Sequence, residues 1–547
     1  MTEERQSWLT IGGLSLLLLV LAAWRPLALP DEGRYAEIGR WMLASGDWLT
    51  PRIDGIPFFH KPPLLAWLEA ASMAVFGAHA WAARLVVAAH AVLLLVMTYW
   101  GARQIATELI ARRAVWMLGS SLSFLLGGQY VNHDMMVAAW ISTALWCFGV
   151  GFMRGERPDA ALARWGFAAC AMGVLAKGLI GLALPGLVLL VWLLASQQMR
   201  KLLYLPWFTG LLIFCAIALP WFAVAQMQFG GVLEYLFGNQ HFSRFTGKNF
   251  NNARPFWFYI AALLLLFFPW IFFVCIQAFK PKASADNAQA ATNSIASMAV
   301  DLGGRKAHLL LWLWPVLIVG FFSIPNSKLV GYVLPAVSPL VVLAALGWDR
   351  VMAHRTRNGL WFAALCTLSM ALAVGLNLVA ANYTLKKSSQ DAAQRFACAA
   401  SAQDTVYVVG DFPYDFPFYA QTTKPMVVVQ DWPEQRKSAA DNWRRELFEG
   451  AQFDAQAAKV LQTPDGLPAA SAQPDNWLLT PNLEAARAIS TGAWSLFYQG
   501  RAWSVYRSTP TDSAVPASLV PASSVPASSA LKSPVPAQKP GLPGCKN

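Results

Sequence analysis

The chain has 547 residues, of which 56% are hydrophobic and 13% are charged, and it contains 25 Trp and 32 Phe. Soluble proteins usually carry about 25% charged residues, so the composition excludes an ordinary soluble protein. The net charge of +12 would favour a nucleic-acid partner in a soluble chain. Here the Lys and Arg residues lie in short loops between apolar segments, where they orient a membrane protein, so we predict no nucleic-acid partner.

Apolar segments long enough to cross about 30 Å of hydrocarbon recur along the first two thirds of the chain. We identify eleven of them: 8–29, 80–100, 114–127, 135–153, 164–177, 179–196, 203–226, 256–278, 308–323, 329–347 and 359–381. The first has no clearly basic start and continues to the length of a span, which favours a retained anchor over a cleaved signal peptide. The sequence therefore predicts a polytopic α-helical membrane protein.

The basic loops alternate with loops poor in Lys and Arg, which predicts that the basic set is cytoplasmic. The outer side then receives the loops 30–79, 128–134, 227–255 and 323–328 and everything after about residue 383. An inside N-terminus and an outside C-terminus require an odd number of spans.

Three regions follow one another along the chain: a membrane domain at 1–383, a small exported α/β domain at 384–509 and a tail at 510–547. The tail is rich in Pro, Ala and Ser and has too few apolar residues to become ordered. Strand-like runs and a helix define the middle region, at 405–409, 425–429, 434–448 (the helix), 477–480, 494–498 and 502–506. Cys398 and Cys545 fall in the exported end, where they can pair.

The first outer loop begins Pro30-Asp31-Glu32-Gly33-Arg34-Tyr35, where the first span leaves the membrane. Ionisable groups there are costly unless they line a wet cavity or bind something, so Asp31 is a candidate catalytic carboxylate. Apolar residues at i, i+3 and i+7 from Tyr35, with Glu37 and Arg40 opposite, predict an amphipathic helix in the interface plane that ends at Gly46. Capping of this helix is the alternative role of Asp31.

Further along the same loop lies Phe58-Phe59-His60-Lys61-Pro62-Pro63. The two prolines fix the backbone, so Lys61 is displayed from a rigid turn where it can bind a phosphate. Snorkelling toward lipid headgroups is the alternative. The other outer segments add further charged or polar candidates: Asp134, Lys177, Arg244, Lys328 and Tyr332.

Four segments carry a resemblance to a known family: 30–68, the His133-Asp134 turn, HFSRF at 241–245 and SKLVGYVLP at 327–335. They resemble the protein mannosyltransferase-related C-type glycosyltransferases, and within these the bacterial lipid A 4-amino-4-deoxy-L-arabinose transferases. The resemblance implies thirteen spans, a bacterial inner-membrane location, a periplasmic active site, an undecaprenyl-phosphate-linked sugar donor and a lipid A acceptor, and hence polymyxin resistance. Family members usually have Glu where this chain has His60.

Transfer from a polyprenyl phosphate leaves negative charge on the phosphate and positive charge on the sugar, so cations and a carboxylate are both needed. We predict Asp31 and Asp134 as the catalytic carboxylates and Glu32 as the partner of the sugar amine. The phosphate and donor are assigned to Lys61, Arg34, Arg244, Lys328, Tyr332 and Tyr35.

We predict that no cofactor is required. The alternative is a divalent metal held by His60 with Asp31, Glu32 and Asp134, although their spacing matches no known ligand motif. We expect a monomer that contacts membrane lipids and binds the lipid-linked sugar and lipid A.

Three other functions stay open. A related enzyme would add a hexose, a uronic acid or mannose to lipopolysaccharide or protein. A lipid or sugar transporter would place its ionisable residues near mid-span, whereas most lie at span ends here. A sensor would need a cytoplasmic output domain, which the short basic loops do not offer.

Overall fold

The computed structural model describes residues 2–243, 252–279, 295–438, 440–484 and 493–509. The chain divides into a membrane unit, Met1–Arg52 with Pro57–Tyr383, and a C-terminal unit, Ile53–Ile56 with Thr384–Asn547. The division after Tyr383 coincides with the change in composition. Residues 510–547, the tail expected to be disordered, lie outside the described residues.

The membrane unit is built from helices joined by short connections. In chain order they are α1 Glu3–Ala22, α2 Asp31–Ser45, α3 Leu64–Phe76, α4 Ala80–Ile105, α5 Glu108–Ser120, α6 Leu122–Gly127, α7 His133–Met153, α8 Ala160–Lys177, α9 Ile180–Ala195, α10 Trp207–Gln228, α11 Phe258–Leu266, α12 Ile271–Phe279, α13 Ile295–Ser323, α14 Leu334–Met352 and α15 Asn358–Lys387. The described part of the unit also contains two 3-10 helices, Met199–Tyr204 and Val330–Val333, and a π-helix, Glu234–Ser243.

The helices confirm a polytopic α-helical membrane protein. In the described part of the chain, seven helices are long and apolar enough to span a membrane, and the pair α11 and α12, bent by 114°, makes up to eight. The three other predicted segments are also helical but shorter or less apolar: 114–127 is broken into α5 and α6, 164–177 is α8 and 179–196 is α9. The odd span count stays a prediction.

Helix α2 ends as the sequence predicts, because Gly46 takes the left-handed conformation (φ 72°) that glycine adopts without steric cost. The predicted amphipathic character of α2 is wrong. Glu37 and Arg40, expected on a wet face, are both buried and form an ion pair of 2.6 Å, so each neutralises the other away from water. The buried face packs against α3, a helix that the sequence analysis left inside a loop.

The four loops predicted on the outer side contact one another within the membrane unit. The Tyr130 hydroxyl donates to Asp31 at 3.4 Å, and the Tyr235 hydroxyl lies 2.7 Å from Nε2 of His60. The Lys328 amide donates to the carbonyl of Asn252 at 3.0 Å. Segments far apart in sequence therefore share one end of the helices, as the alternation of basic loops requires.

The C-terminal unit is an α/β domain whose strands are β3 Thr405–Val409, β4 Val427–Val429, β5 Leu461–Gln462, β6 Asn476–Pro481, β7 Trp494–Gln499 and β8 Trp503–Ser508. The sheet order is β5-β4-β3-β6-β8-β7. The pairs β5–β4, β4–β3 and β3–β6 are parallel, and the pairs β6–β8 and β8–β7 are antiparallel. Its helices are α16 Gln390–Ala399, α17 Phe416–Ala420, α18 Trp432–Ser438, α19 Trp443–Ala451 and α20 Leu467–Ser471. The five predicted strand runs correspond to five of these strands, whereas the two-residue β5 was missed.

The first outer loop also supplies a small piece of the C-terminal unit. The strands β1 Arg52–Ile53 and β2 Ile56–Pro57 form a hairpin, and within this unit the Met426 amide donates to Oδ1 of Asp54 at 2.8 Å. Assignment of all of 30–79 to the membrane domain is therefore wrong for residues 53–56. Cys398 is disulfide-bonded, while Cys545, its predicted partner, lies outside the described residues.

Candidate active site

A cavity of about 250 Å³, including its opening to solvent, lies between α2, α3 and the start of α7. Its polar lining consists of Tyr35, Lys61, Glu69 and His133. Tyr35 and Lys61 are half-buried, whereas Glu69 and His133 are buried. Solvent therefore reaches Tyr35 and Lys61 more than it reaches Glu69 and His133.

Three cations lie within electrostatic range of His133. Lys61, Lys177 and Arg34 all lie close enough to His133 to act electrostatically on its ring. The ring itself packs edge-on against Tyr35, with 4.6 Å between centroids. Cations from three separate segments thus concentrate positive charge at one place, which is the arrangement that a phosphate group requires.

Asp31 is the first residue of α2, and the N-cap position is taken by Pro30, with no side-chain capping bond. The capping alternative is therefore wrong. The Asp31 side chain is 37% exposed and lies 4.0 Å from Nη2 of Arg34. The Tyr130 hydroxyl also donates to it, and burial, with the negative charges of Asp31 and Glu32, raises the pKa of Tyr130. Tyr130 keeps its proton at neutral pH, so it can orient the carboxylate.

Asp134 forms an ion pair with Lys177, and both side chains are nearly buried. Asn132 holds the carboxylate from the other side, since its Nδ2 donates to Oδ2 of Asp134 at 3.2 Å. The ammonium of Lys177 also lies 4.3 Å from the centre of the Tyr332 ring. The Asp134 carboxylate is thus occupied by Lys177. We therefore assign Asp134 as a positioning residue that holds this lysine.

His60 is held by aromatic residues. It stacks on Phe58, with 4.5 Å between centroids, and its Nε2 shares a hydrogen bond with Tyr235. Among the described residues, no group of three or more His, Cys, Asp or Glu side chains is placed to hold a metal ion. The four ligands of the metal alternative are therefore not brought together.

Glu32 does not have the position expected of a sugar-binding residue. It is fully buried, and its carboxylate accepts hydrogen bonds from the guanidinium groups of Arg25 and Arg84 and from the amides of Ala28 and Val131. Burial alone would raise the pKa of Glu32, but the two arginines outweigh it and lower the pKa to about 2. The carboxylate joins α2 and α4 to the segment that follows α1, so its acceptor positions are taken by the protein and we assign Glu32 a structural role instead of the predicted one at the sugar amine.

Lys328 also has a different role from the predicted one. Its ammonium donates to the backbone carbonyls of Arg254, at 3.1 Å, and Pro325, and burial lowers its pKa. These hydrogen bonds connect the outer segments 227–255 and 323–328. The Lys328 ammonium therefore interacts with backbone carbonyls. Arg244, the remaining cation predicted for the phosphate, lies outside the described residues.

Sequence reasoning missed three residues of this region: Tyr130, Tyr235 and Glu69. The two tyrosines carry no signal in the sequence, because their roles depend on loops that meet only in the fold. Glu69 does carry one, since it is the single charged residue in the apolar stretch Leu64–Phe76. Ionisable residues in apolar membrane segments are costly, which makes them functional candidates.

Comparisons with known proteins identify the fold and the family of the chain. Residues 27–235, which include α2, α3 and α7, match the family model described as dolichyl-phosphate-mannose-protein mannosyltransferase. Among solved structures, the chain is similar to ArnT from Cupriavidus metallidurans bound to undecaprenyl phosphate. That match has a TM-score of 0.72 at 23% identity and covers 92% of this chain and 98% of the other, which establishes a shared fold.

Two relatives are named undecaprenyl phosphate-α-4-amino-4-deoxy-L-arabinose arabinosyl transferase. The protein from Pseudomonas savastanoi pv. phaseolicola is 31% identical over 387 residues, which cover 67% of each chain. The Proteus mirabilis protein, numbered 1, is 31% identical over 349 residues, covering 62% of this chain and 59% of its own. The chain thus spans about three fifths to two thirds of the length of these relatives. On this similarity, the chain belongs to the family of undecaprenyl phosphate-aminoarabinose arabinosyl transferases.

Proposed function

We propose that this chain is a membrane glycosyltransferase that moves 4-amino-4-deoxy-L-arabinose from undecaprenyl phosphate to a phosphate of lipid A. The observation that carries the proposal is that Arg34, Lys61 and Lys177 all lie within electrostatic range of His133, and that Arg34 is also next to the Asp31 carboxylate. The names of the relatives support the same donor and the same sugar.

The three cations stabilise the phosphate that leaves the sugar. As the bond between the anomeric carbon and the phosphate oxygen breaks, negative charge grows on that oxygen. Lys61 and Arg34, on the first loop, and Lys177, at the end of α8, stabilise this charge in a partly dry site, where electrostatic interactions are stronger than in water. Tyr35 and Tyr332 line the same region and position the donor.

Asp31 stabilises the sugar ring during transfer. The breaking bond leaves positive charge on the ring, which a nearby carboxylate stabilises. An acceptor phosphate is already largely ionised near pH 7, so it needs no general base to attack the anomeric carbon. Tyr130 and Arg34 hold the Asp31 carboxylate in place for this role.

We place the enzyme in the bacterial inner membrane, with the site and the C-terminal unit on the periplasmic side. The alternation of basic loops supports this orientation, and so does the meeting of the four predicted outer loops. We also propose that transfer needs no metal ion.

Reconstituted transfer tests the function. Purified protein in nanodiscs receives undecaprenyl-phosphate-linked aminoarabinose and lipid A, and mass spectrometry follows the addition of a pentosamine. Asp31→Asn and Lys61→Ala should reduce product to background while the protein stays in the membrane. Asp465→Asn and Lys437→Ala, at exposed positions of the C-terminal unit, are matched controls that should retain activity.

Two results would contradict the proposal. Near-normal transfer by Asp31→Asn would remove the loop from the chemistry. Product formed only from hexose, uronic acid or mannose donors would assign the chain to a related enzyme instead. Transfer measured in detergent excludes a pure transporter.

A further inference from the structure

We propose that Glu69 binds the amino group of the donor sugar and so makes the site selective for an amino sugar over its hydroxyl analogue. The inference rests on the proposed function, and it assigns to Glu69 the role that the sequence suggested for Glu32.

The carboxylate of Glu69 lacks the partners that a buried acid normally has. Glu69 is 0% exposed, and among the described residues neither of its carboxylate oxygens has a hydrogen-bond partner. Buried polar groups in proteins are nearly always hydrogen-bonded, because leaving one unsatisfied costs free energy. Glu32, with six accepted hydrogen bonds, shows how this membrane unit satisfies a buried carboxylate that is purely structural.

The position of Glu69 is fixed by the packing of α3 on α2. A Cβ added at Gly39 would lie 2.6 Å from Cβ of Glu69 and 3.1 Å from its Oε2. The absence of a side chain at Gly39 therefore makes the room in which the carboxylate sits. The rest of the cavity wall near it is apolar and contributes Ile38, Leu65 and Ala66.

The cavity is lined both by Glu69 and by Lys61, one of the cations assigned to the phosphate. Lys61 and Tyr35, which are half-buried, line the same cavity as Glu69, which is fully buried. A donor whose phosphate is held by Lys61 would direct its sugar into this cavity. The amino group of the sugar would then meet a carboxyl group whose two oxygens accept no hydrogen bond from the described residues, which suits an amine that has several N–H donors.

The protonation state of Glu69 fits an amine. Burial, and to a smaller extent the negative Glu32, raises the pKa of Glu69 well above its usual range, which favours the protonated carboxyl group as long as no cation lies beside it. An uncharged amine that enters can take this proton. The O–H bond of Glu69 breaks, an N–H bond forms on the amine, and an ammonium–carboxylate pair results. A sugar hydroxyl is too weak a base to accept the proton.

Equilibrium binding tests the proposal without depending on turnover. Purified full-length protein is titrated with two undecaprenyl-phosphate donors, one carrying 4-amino-4-deoxy-L-arabinose and one carrying L-arabinose. Wild-type protein should bind the amino donor more tightly. Glu69→Gln should weaken its binding about 10- to 100-fold, the range for loss of a charged hydrogen bond, and leave the arabinose donor within about twofold.

Two further variants separate recognition from packing. Glu69→Asp keeps the charge and should retain part of the preference for the amine. Met73→Leu, which changes a buried side chain on the same helix at similar volume, should leave the ratio of the two affinities unchanged.

An equal loss of both affinities in Glu69→Gln, or no loss of either, would overturn the role of Glu69 and leave the proposed function intact. Wild-type protein that binds neither donor would overturn both.

Discussion

Lys177 and Asp134, which are 43 residues apart in the sequence, form an ion pair in which both side chains are nearly buried. The pair joins the outer end of α8 to the start of α7, and it holds the lysine beside Tyr332 and within electrostatic range of His133. Asp134 therefore fixes where one phosphate-binding cation lies.

A double-mutant cycle at this pair should separate positioning from direct catalysis. Lys177→Met should lower kcat about 10²- to 10³-fold, because it removes a phosphate-binding cation and leaves a buried carboxylate unpaired. Asp134→Asn should lower kcat by a smaller factor than Lys177→Met. The double variant should be more active than Lys177→Met alone, since the unpaired charge is gone. If Asp134→Asn abolishes transfer and the double variant is no better, Asp134 acts on the substrate itself.

Tyr130 should influence the rate through Asp31. Tyr130→Phe removes one hydroxyl hydrogen bond to the carboxylate at 3.4 Å, so we expect kcat to fall by about tenfold or less with little change in donor KM. Tyr204→Phe, at an exposed position, is the matched control and should behave as wild type. A rise in KM with unchanged kcat would show that Tyr130 contacts the donor instead.

Glu32 should be needed for folding rather than for sugar recognition. Glu32→Gln leaves Arg25 and Arg84 buried without their anion, and breaking a buried ion pair typically costs about 3–5 kcal/mol. We expect a lower midpoint of thermal unfolding in detergent and less folded protein in the membrane. Glu434→Gln, at an exposed position, provides the control. A stable Glu32→Gln protein that has lost only its preference for the amino donor would reverse our assignments of Glu32 and Glu69.

Low pH should weaken the ion pairs that Glu32 forms with Arg25 and Arg84. The folded-state pKa of Glu32 is depressed from 4.5 to about 2, so its stabilising effect is complete above about pH 4.5 and is lost as the pH falls toward 2. Unfolding midpoints of wild type and Glu32→Gln should therefore converge across that window. A constant difference down to pH 2 would contradict the depressed pKa.

Lys328 and Lys61 should respond differently to substitution. Lys328→Met removes hydrogen bonds to two backbone carbonyls and should lower thermal stability, while the affinity of the folded fraction for undecaprenyl phosphate stays near normal. Lys61→Ala should lower the affinity for undecaprenyl phosphate and leave thermal stability near normal. An equal loss of undecaprenyl phosphate affinity in both variants would return Lys328 to the phosphate site.

Local signals in the sequence were sufficient for much of the fold. Continuous apolar length located the helices, and Gly46 marked the end of α2 because a left-handed residue is needed there. Alternating β-branched and aromatic residues located the strand Thr405–Val409. These features depend on neighbours within a few residues, so no knowledge of the fold was required.

The amphipathic reading of α2 failed for the opposite reason. Glu37 and Arg40 have the spacing of a wet helix face, yet in the fold they pair with each other and are covered. A helical pattern shows which residues share a face. Whether that face meets water depends on the other segments that pack there.

The sequence by itself determined that this is a multi-span membrane protein with a charged first outer loop, because composition and apolar length depend only on the order of residues. The roles of the two acids in and near α2 were decided by the tertiary structure. Glu32 meets Arg84, 52 residues further along the chain, and is satisfied, whereas Glu69 lines a cavity with no partner among the described residues. The electrostatic environment of a buried carboxylate is set by groups distant in sequence, so only the fold distinguishes a structural acid from one available to a ligand.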